Sequence, residues 1–139
     1  MGKTILVTMG KTILVVDKDL SFVDKLRQKY MTAGWQVLCA RSKAEAQGIF
    51  AATRPDVVVT EVILEHMDSG FCLAWEFKQK YPDVPVIIVS DVAWKTGLTF
   101  KLSSAGAKNW IKADAFLDKP VRLEELETLI DTLLTAKAA

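Results

Sequence analysis

Residues 55–62 read Pro-Asp-Val-Val-Val-Thr-Glu-Val, and this run limits the fold more than any other stretch. Val57, Val58, Val59 and Thr60 are β-branched with no polar alternation, which suits a strand covered on both faces. Doubly covered strands belong to parallel sheets flanked by helices. The run ends on a carboxylate, Glu61. In open parallel sheets ligands gather just beyond the carboxyl ends of the strands, so Glu61 marks where a site would lie.

The rest of the chain supplies the other layers. Residues 12–17 form a first apolar strand ending in Asp17, with Lys18 and Asp19 next. Residues 20–33 show helical spacing, with Phe22, Val23, Leu26 and Tyr30 on one face and Asp24, Lys25, Arg27 and Lys29 on the other. Gly34 closes that helix, and residues 35–40 are a second strand. Ser42 caps a helix reaching residue 53, with Glu45 placed as in a capping box. A third helix over residues 69–80 buries Leu73, Ala74 and Phe77 and leaves Cys72 and Trp75 off the stripe as an apolar patch. Residues 84–90 form strand four and residues 93–104 a helix. Residues 115–117 form a short fifth strand, ending at Asp118-Lys119-Pro120. The last helix, residues 123–136, carries Leu126, Leu129, Ile130, Leu133 and Leu134 inward and three glutamates near its start. Strands alternate with helices, which is a doubly wound α/β domain with no linker dividing it.

Composition excludes several function classes. Eighteen basic against 17 acidic residues give a net charge of +1, so no electrostatic argument favours nucleic acid or an anionic membrane. No apolar stretch is long enough to span a bilayer and no signal peptide is evident, so a cytoplasmic protein is expected. Cys39 and Cys72 form no metal motif, and their apolar settings predict buried free thiols. Nothing resembles a nucleophilic triad, and an enzyme is not expected.

The N-terminus repeats itself: MGKTILV occurs at residues 1–7 and again at 9–15. The reading is a duplicated start, with residues 1–9 an extension and residues 10–139 the domain. The surplus strand-former, residues 3–8, is expected to extend the sheet or to pair with another chain. Gly-Lys-Thr in each copy is not a phosphate loop, because the glycine that motif needs upstream is Ile5.

Collected at the carboxyl ends of the strands are Asp17, Lys18, Asp19, Glu61, Ser90, Asp91 and Lys119. Carboxylates, a hydroxyl and a lysine in that order make a pocket of the kind that holds Mg²⁺ and a phosphoryl group. The sequence here resembles the receiver domains of two-component response regulators. The likeness covers residues 11–135 and rests on Ile13-Leu14-Val15-Val16-Asp17, on residues 55–61 with Met67-Asp68-Ser69-Gly70, on Val86-Ile87-Ile88-Val89-Ser90 and on Phe116-Leu117-Asp118-Lys119-Pro120. It implies a flavodoxin-like (CheY-like) three-layer fold with five parallel strands in the order 2-1-3-4-5. It also implies a role in phosphorelay signalling with a histidine kinase or an effector as partner. By position, Asp17 and Lys18 fall on the acidic pair that holds Mg²⁺ and Glu61 on the phosphoacceptor. Ser90 and Lys119 fall on the phosphate contacts and Phe116 on the switch aromatic.

Two positions depart from that pattern. Glu61 stands where the family has aspartate, and Lys18 where it has a second acid, with Asp19 a partial compensation. The expectation is a receiver-like domain without conventional phosphorylation. Glu61 would act as a fixed mimic, Lys18, Glu61 and Lys119 would neutralise one another, Mg²⁺ at Asp17 would be doubtful, and no cofactor would be needed. The alternatives are a working receiver phosphorylated at Glu61 with Mg²⁺, and a flavodoxin-like cofactor binder, against which stands the lack of a phosphate-cradling loop after strand one. The segment from Ser90 to Lys119 is about seven residues longer than a receiver needs, roughly two helical turns. Its surplus, with Trp94, Phe100 and Trp110, is read as a remodelled partner or dimer surface. His66, the lone histidine, is read as a solvated loop residue beside Glu61.

Overall fold

The computed structural model describes residues 10–61, 69–90 and 113–138. In chain order the elements among the described residues are β1 (Thr12–Val16), α1 (Leu20–Thr32), β2 (Gln36–Ala40), α2 (Lys43–Ala52), β3 (Val57–Glu61), α3 (Ser69–Lys80), β4 (Val86–Ser90), β5 (Ala115–Asp118) and α4 (Leu123–Ala138). The sheet is all-parallel in the order β2-β1-β3-β4-β5, as the resemblance implied. The expected helix over residues 93–104, His66, and the N-terminal extension to residue 9 lie outside the described residues.

The β period of two sorts the strand residues between two cores. Leu14, Val16, Val58, Val86 and Ile88 face α2 and α3 and meet Ala46, Phe50, Leu73, Ala74 and Phe77. Ile13, Val15, Val57, Val59, Ile87 and Val89 face α1 and α4 and meet Phe22, Val23, Leu26, Tyr30, Leu126, Ile130 and Leu134. Each fully buried aliphatic side chain contributes about 1.5–3 kcal/mol of apolar transfer. This is why strands with no polar alternation hold the middle of the sheet. The stripes expected for α1, α3 and α4 are the ones buried, with Leu129 and Leu133 only partly covered.

Local signals hold the element ends. Asp19 caps α1, its Oδ1 accepting from the backbone N–H groups of Ser21 and Phe22. Gly34 follows that helix at φ 91°, a left-handed conformation that favours glycine. Ser42 Oγ accepts from Glu45 N at 3.1 Å, and Glu45 Oε1 in turn accepts from Arg41 N at 2.9 Å. The box thus closes one residue earlier than expected. Two aspartates pin strand register. Asp56, just before β3, donates its N–H to the Thr12 carbonyl and accepts from Thr12 N at 2.7 Å. Asp114, just before β5, does the same to Val86. This places Ala113-Asp114 at the threshold of strand five.

One expectation is corrected. Both cysteines are free, but Cys39 is exposed and Cys72 only half-covered. β2 is an edge strand among the described residues, and Gln36 and Cys39 stand clear of the helices that bury the central strands.

Candidate functional site

The strand order reverses between β1 and β3, and both strands end at one level there, with Val16 opposite Thr60. Glu61 lies beside Val89, and Ser90 beside Asp118. Register alone therefore brings Asp17, Glu61, Ser90 and Lys119 to one edge. The Ser90 side chain is outside the described residues.

The centre of the cluster is Lys119. Its Nζ lies 2.8 Å from Asp17 Oδ2 and 2.9 Å from Glu61 Oε1. The three side chains are 16%, 3% and 12% exposed, so the charges are held in a poorly solvated pocket where pairing is strong. Burial would lower the Lys119 pKa, but hydrogen bonds and charge from Asp17 and Glu61 outweigh it and raise it above its ordinary value. The Phe22 ring adds a cation–π face, with its centroid 5.6 Å from Nζ. The other Asp17 oxygen, Oδ1, accepts from Asp19 N at 2.9 Å. A cleft of about 570 Å³ opens above, lined by these groups with Lys18, Asp19, Ser21 and Lys25.

The structure brings Asp17, Glu61 and Lys119, all named from the sequence, within ion-pair distance. Lys119 pairs with both Asp17 and Glu61, and Lys18 lines the same cleft. Asp19 lines the cleft too, but its carboxylate is engaged in capping α1 rather than replacing the missing acid. Phe116 is half-buried against the α2–α3 side of the sheet. Phe22 was not anticipated as a site residue, because its helical spacing marked it simply as core.

This arrangement does not fit a divalent cation. Mg²⁺ in such pockets needs converging carboxylate oxygens. Here Asp17 and Glu61 each give an oxygen to an ammonium, and the second acidic position carries Lys18. No group of three acidic, cysteine or histidine side chains suited to a metal occurs among the described residues.

The family model described as "Response regulator receiver domain" matches residues 13–131. The chain belongs to that family. Curated relatives of this receiver domain include the response regulator MprA of Mycolicibacterium vanbaalenii, 30% identical over 126 residues covering 91% of this chain and 51% of that protein. Another is the DNA-binding transcriptional regulator NtrC of Rhizobium meliloti, 34% identical over 90% of this chain and 24% of that protein. The chain thus spans about half of the first of these relatives' length and about a quarter of the second's. Among solved structures, a response regulator receiver domain protein from Clostridium thermocellum superposes with a TM-score of 0.75 at 25% identity, covering 92% of this chain and 97% of that one. No described helix is long and apolar enough to cross a membrane.

Proposed function

We propose that this receiver domain signals through protein–protein contact without conventional phosphorylation, its pocket closed by an internal ion-pair cluster. The observation that carries this reading is Lys119 Nζ at 2.8 and 2.9 Å from Asp17 and Glu61. Glutamate is one methylene longer than aspartate, and its carboxylate reaches the lysine directly from the end of β3. That carboxylate then stands where a phosphoryl oxygen would otherwise meet the lysine. Lys18 adds positive charge to the mouth of the cleft and opposes a divalent cation. The partner is a protein of the histidine kinase or effector class, met through the domain surface. The near-neutral charge balance supports no direct contact with nucleic acid.

The test is incubation with acetyl phosphate, and separately with beryllofluoride, each with Mg²⁺. The expected result is no adduct in the intact mass and no Mg²⁺-dependent quenching of tryptophan fluorescence. One added phosphoryl group located at Glu61 would overturn the reading and establish a working acceptor. The paired change Lys18→Asp with Glu61→Asp is expected to confer both Mg²⁺ quenching and an adduct. If that double variant stays silent, the departures at these two positions are not what closes the pocket.

A further inference from the structure

The ion pairs that close the pocket leave most of the cleft above them open. Asp17 and Glu61 are engaged by Lys119, and Asp19 by the start of α1. Two kinds of group remain around this cleft of about 570 Å³. One is an apolar wall of Phe22, Pro120, Val121 and Leu123. Phe22 is almost wholly buried, whereas Val121 and Leu123 are only partly covered and Pro120 is exposed. The other is a polar rim, with Ser21 and Lys25 one turn apart on the same face of α1 and Lys18 just before the helix.

Lys25 is exposed and takes part in no ion pair among the described residues. Its neighbours along α1 differ: Arg27 pairs with Asp24 at 2.9 Å, and Lys29 with Glu127 at 3.2 Å. A second cleft, of about 520 Å³, adjoins the first at Lys25 and Leu123 and is lined by Lys29 and Glu127. The lysine there is matched by a carboxylate, so the first cleft is the one that sets an unmatched cation beside uncovered apolar side chains. A phosphoryl group alone would fill little of it. Its volume lies within the roughly 300–1,000 Å³ of sites that hold drug-sized molecules, and such sites combine apolar walls with a few placed polar groups.

We infer that this cleft is a binding site for a small amphipathic organic monoanion, a carboxylate or sulfonate carried on an aromatic or aliphatic body. The anionic end pairs with Lys25 and accepts from the Ser21 hydroxyl. The body lies on Pro120, Val121 and Leu123 and on the edge of Phe22. Burial of the body supplies most of the affinity, and the ion pair at the rim sets orientation and selects for charge. One negative charge is favoured over two, because Asp17, Asp19 and Glu61 line the same cleft. The site lies over the neutralised cluster rather than at the phosphoacceptor position. It goes beyond the proposed function and rests on that reading's closed ion-pair cluster.

Anilinonaphthalene sulfonate is the probe, because it is an anion of this kind and fluoresces when its rings leave water. It is titrated into the full chain without Mg²⁺ or a phosphoryl donor. The expected result is saturation at one molecule per chain with a Kd of about 10–100 µM, as suits a ligand of that size. NMR amide signals of Ser21, Lys25, Val121 and Leu123 are expected to shift while those of Val86–Val89 in β4 stay in place. Phenylnaphthylamine, the uncharged parent, is expected to bind about tenfold more weakly. Lys25→Glu is expected to weaken the sulfonate about tenfold, and Arg27→Glu, on the same helix but off the cleft, by less than about twofold. Val121→Ser, which leaves Lys25 in place, is expected to weaken both probes about fivefold. Urea midpoints show that each variant is folded. The inference is overturned if the uncharged parent binds as tightly as the sulfonate, if Lys25→Glu and Arg27→Glu act alike, or if the shifted amides lie away from the cleft. Any of these leaves the unphosphorylated reading standing, whereas a phosphoryl adduct at Glu61 strikes that reading and not this measurement.

Discussion

Lys119 is the residue on which the pocket's charge balance turns. Replacing it with methionine leaves Asp17, whose side chain is 3% exposed, without its ion-pair partner. Removing one partner of a buried pair is costly, and Lys119→Met is expected to lower unfolding free energy by about 3 kcal/mol in urea titration. Adding Asp17→Asn should recover most of that loss, since it removes the stranded charge. A second residue-scale effect is alkaline. Lys119 and Tyr30 both have pKa values raised in the fold: Lys119 by Asp17 and Glu61 against its burial, Tyr30 first by burial and then by Glu127 and Asp131. A raised folded pKa gives stability that is fully present below the unfolded value and is lost as pH rises through the folded value. The ordinary values are 10.5 and 10.0, so the urea midpoint is expected to hold from pH 7 to 9 and fall above pH 10. The Tyr30 hydroxyl is buried with no hydrogen-bond partner among the described residues. Tyr30→Phe is therefore expected to leave neutral-pH stability unchanged or higher, and to shrink the alkaline loss. A clear drop in the neutral-pH midpoint would show that the hydroxyl has a partner in solution.

At the scale of elements, short polar signals set boundaries and register. Asp56 holds the start of β1 through both its backbone N–H and its carboxylate. Asp56→Ala is expected to reduce stability by about 1.5–3 kcal/mol, the range for a hydrogen bond to a charged group. Ser42→Ala, which removes the α2 cap, should lose about 1 kcal/mol. Thermal or urea unfolding checks both. The far end of α2 is closed by the last residue of α3 and the one after it: Lys80 Nζ donates to the Ala51 carbonyl at 3.1 Å and the Tyr81 hydroxyl to the Phe50 carbonyl at 2.9 Å. The caps at Asp19 and Ser42 lie within three or four residues of what they bind, and local spacing in the sequence announced the Ser42 box. The Asp56 clamp and the Lys80–Tyr81 closure join residues 44, 29 and 31 positions apart, so spacing along the chain carried no sign of them.

Across the whole molecule, one sheet is shared by two helical layers, and the receiver family's pocket sits where the strand order reverses. Because β1, β3 and β4 contribute to both cores, the layers should unfold together, with tryptophan fluorescence and circular dichroism tracing one coincident urea transition. Unbroken β-branched runs between helical stripes leave a parallel sheet as the arrangement that buries both strand faces, so the sequence by itself determined the layered architecture. It also determined which chemical groups reach the carboxyl edge, because those groups directly end the strands. The tertiary structure alone decided how they pair. Asp17, Glu61 and Lys119 come from three strand ends far apart in the chain, and only their packed distances make Lys119 the bridge. It also decided that Asp19 is engaged by the start of α1 and that Cys39 stands exposed at the sheet's edge. Which oxygen meets which ammonium depends on separations of a few tenths of an ångström, and those are fixed by packing across the sheet rather than by the order of residues along the chain.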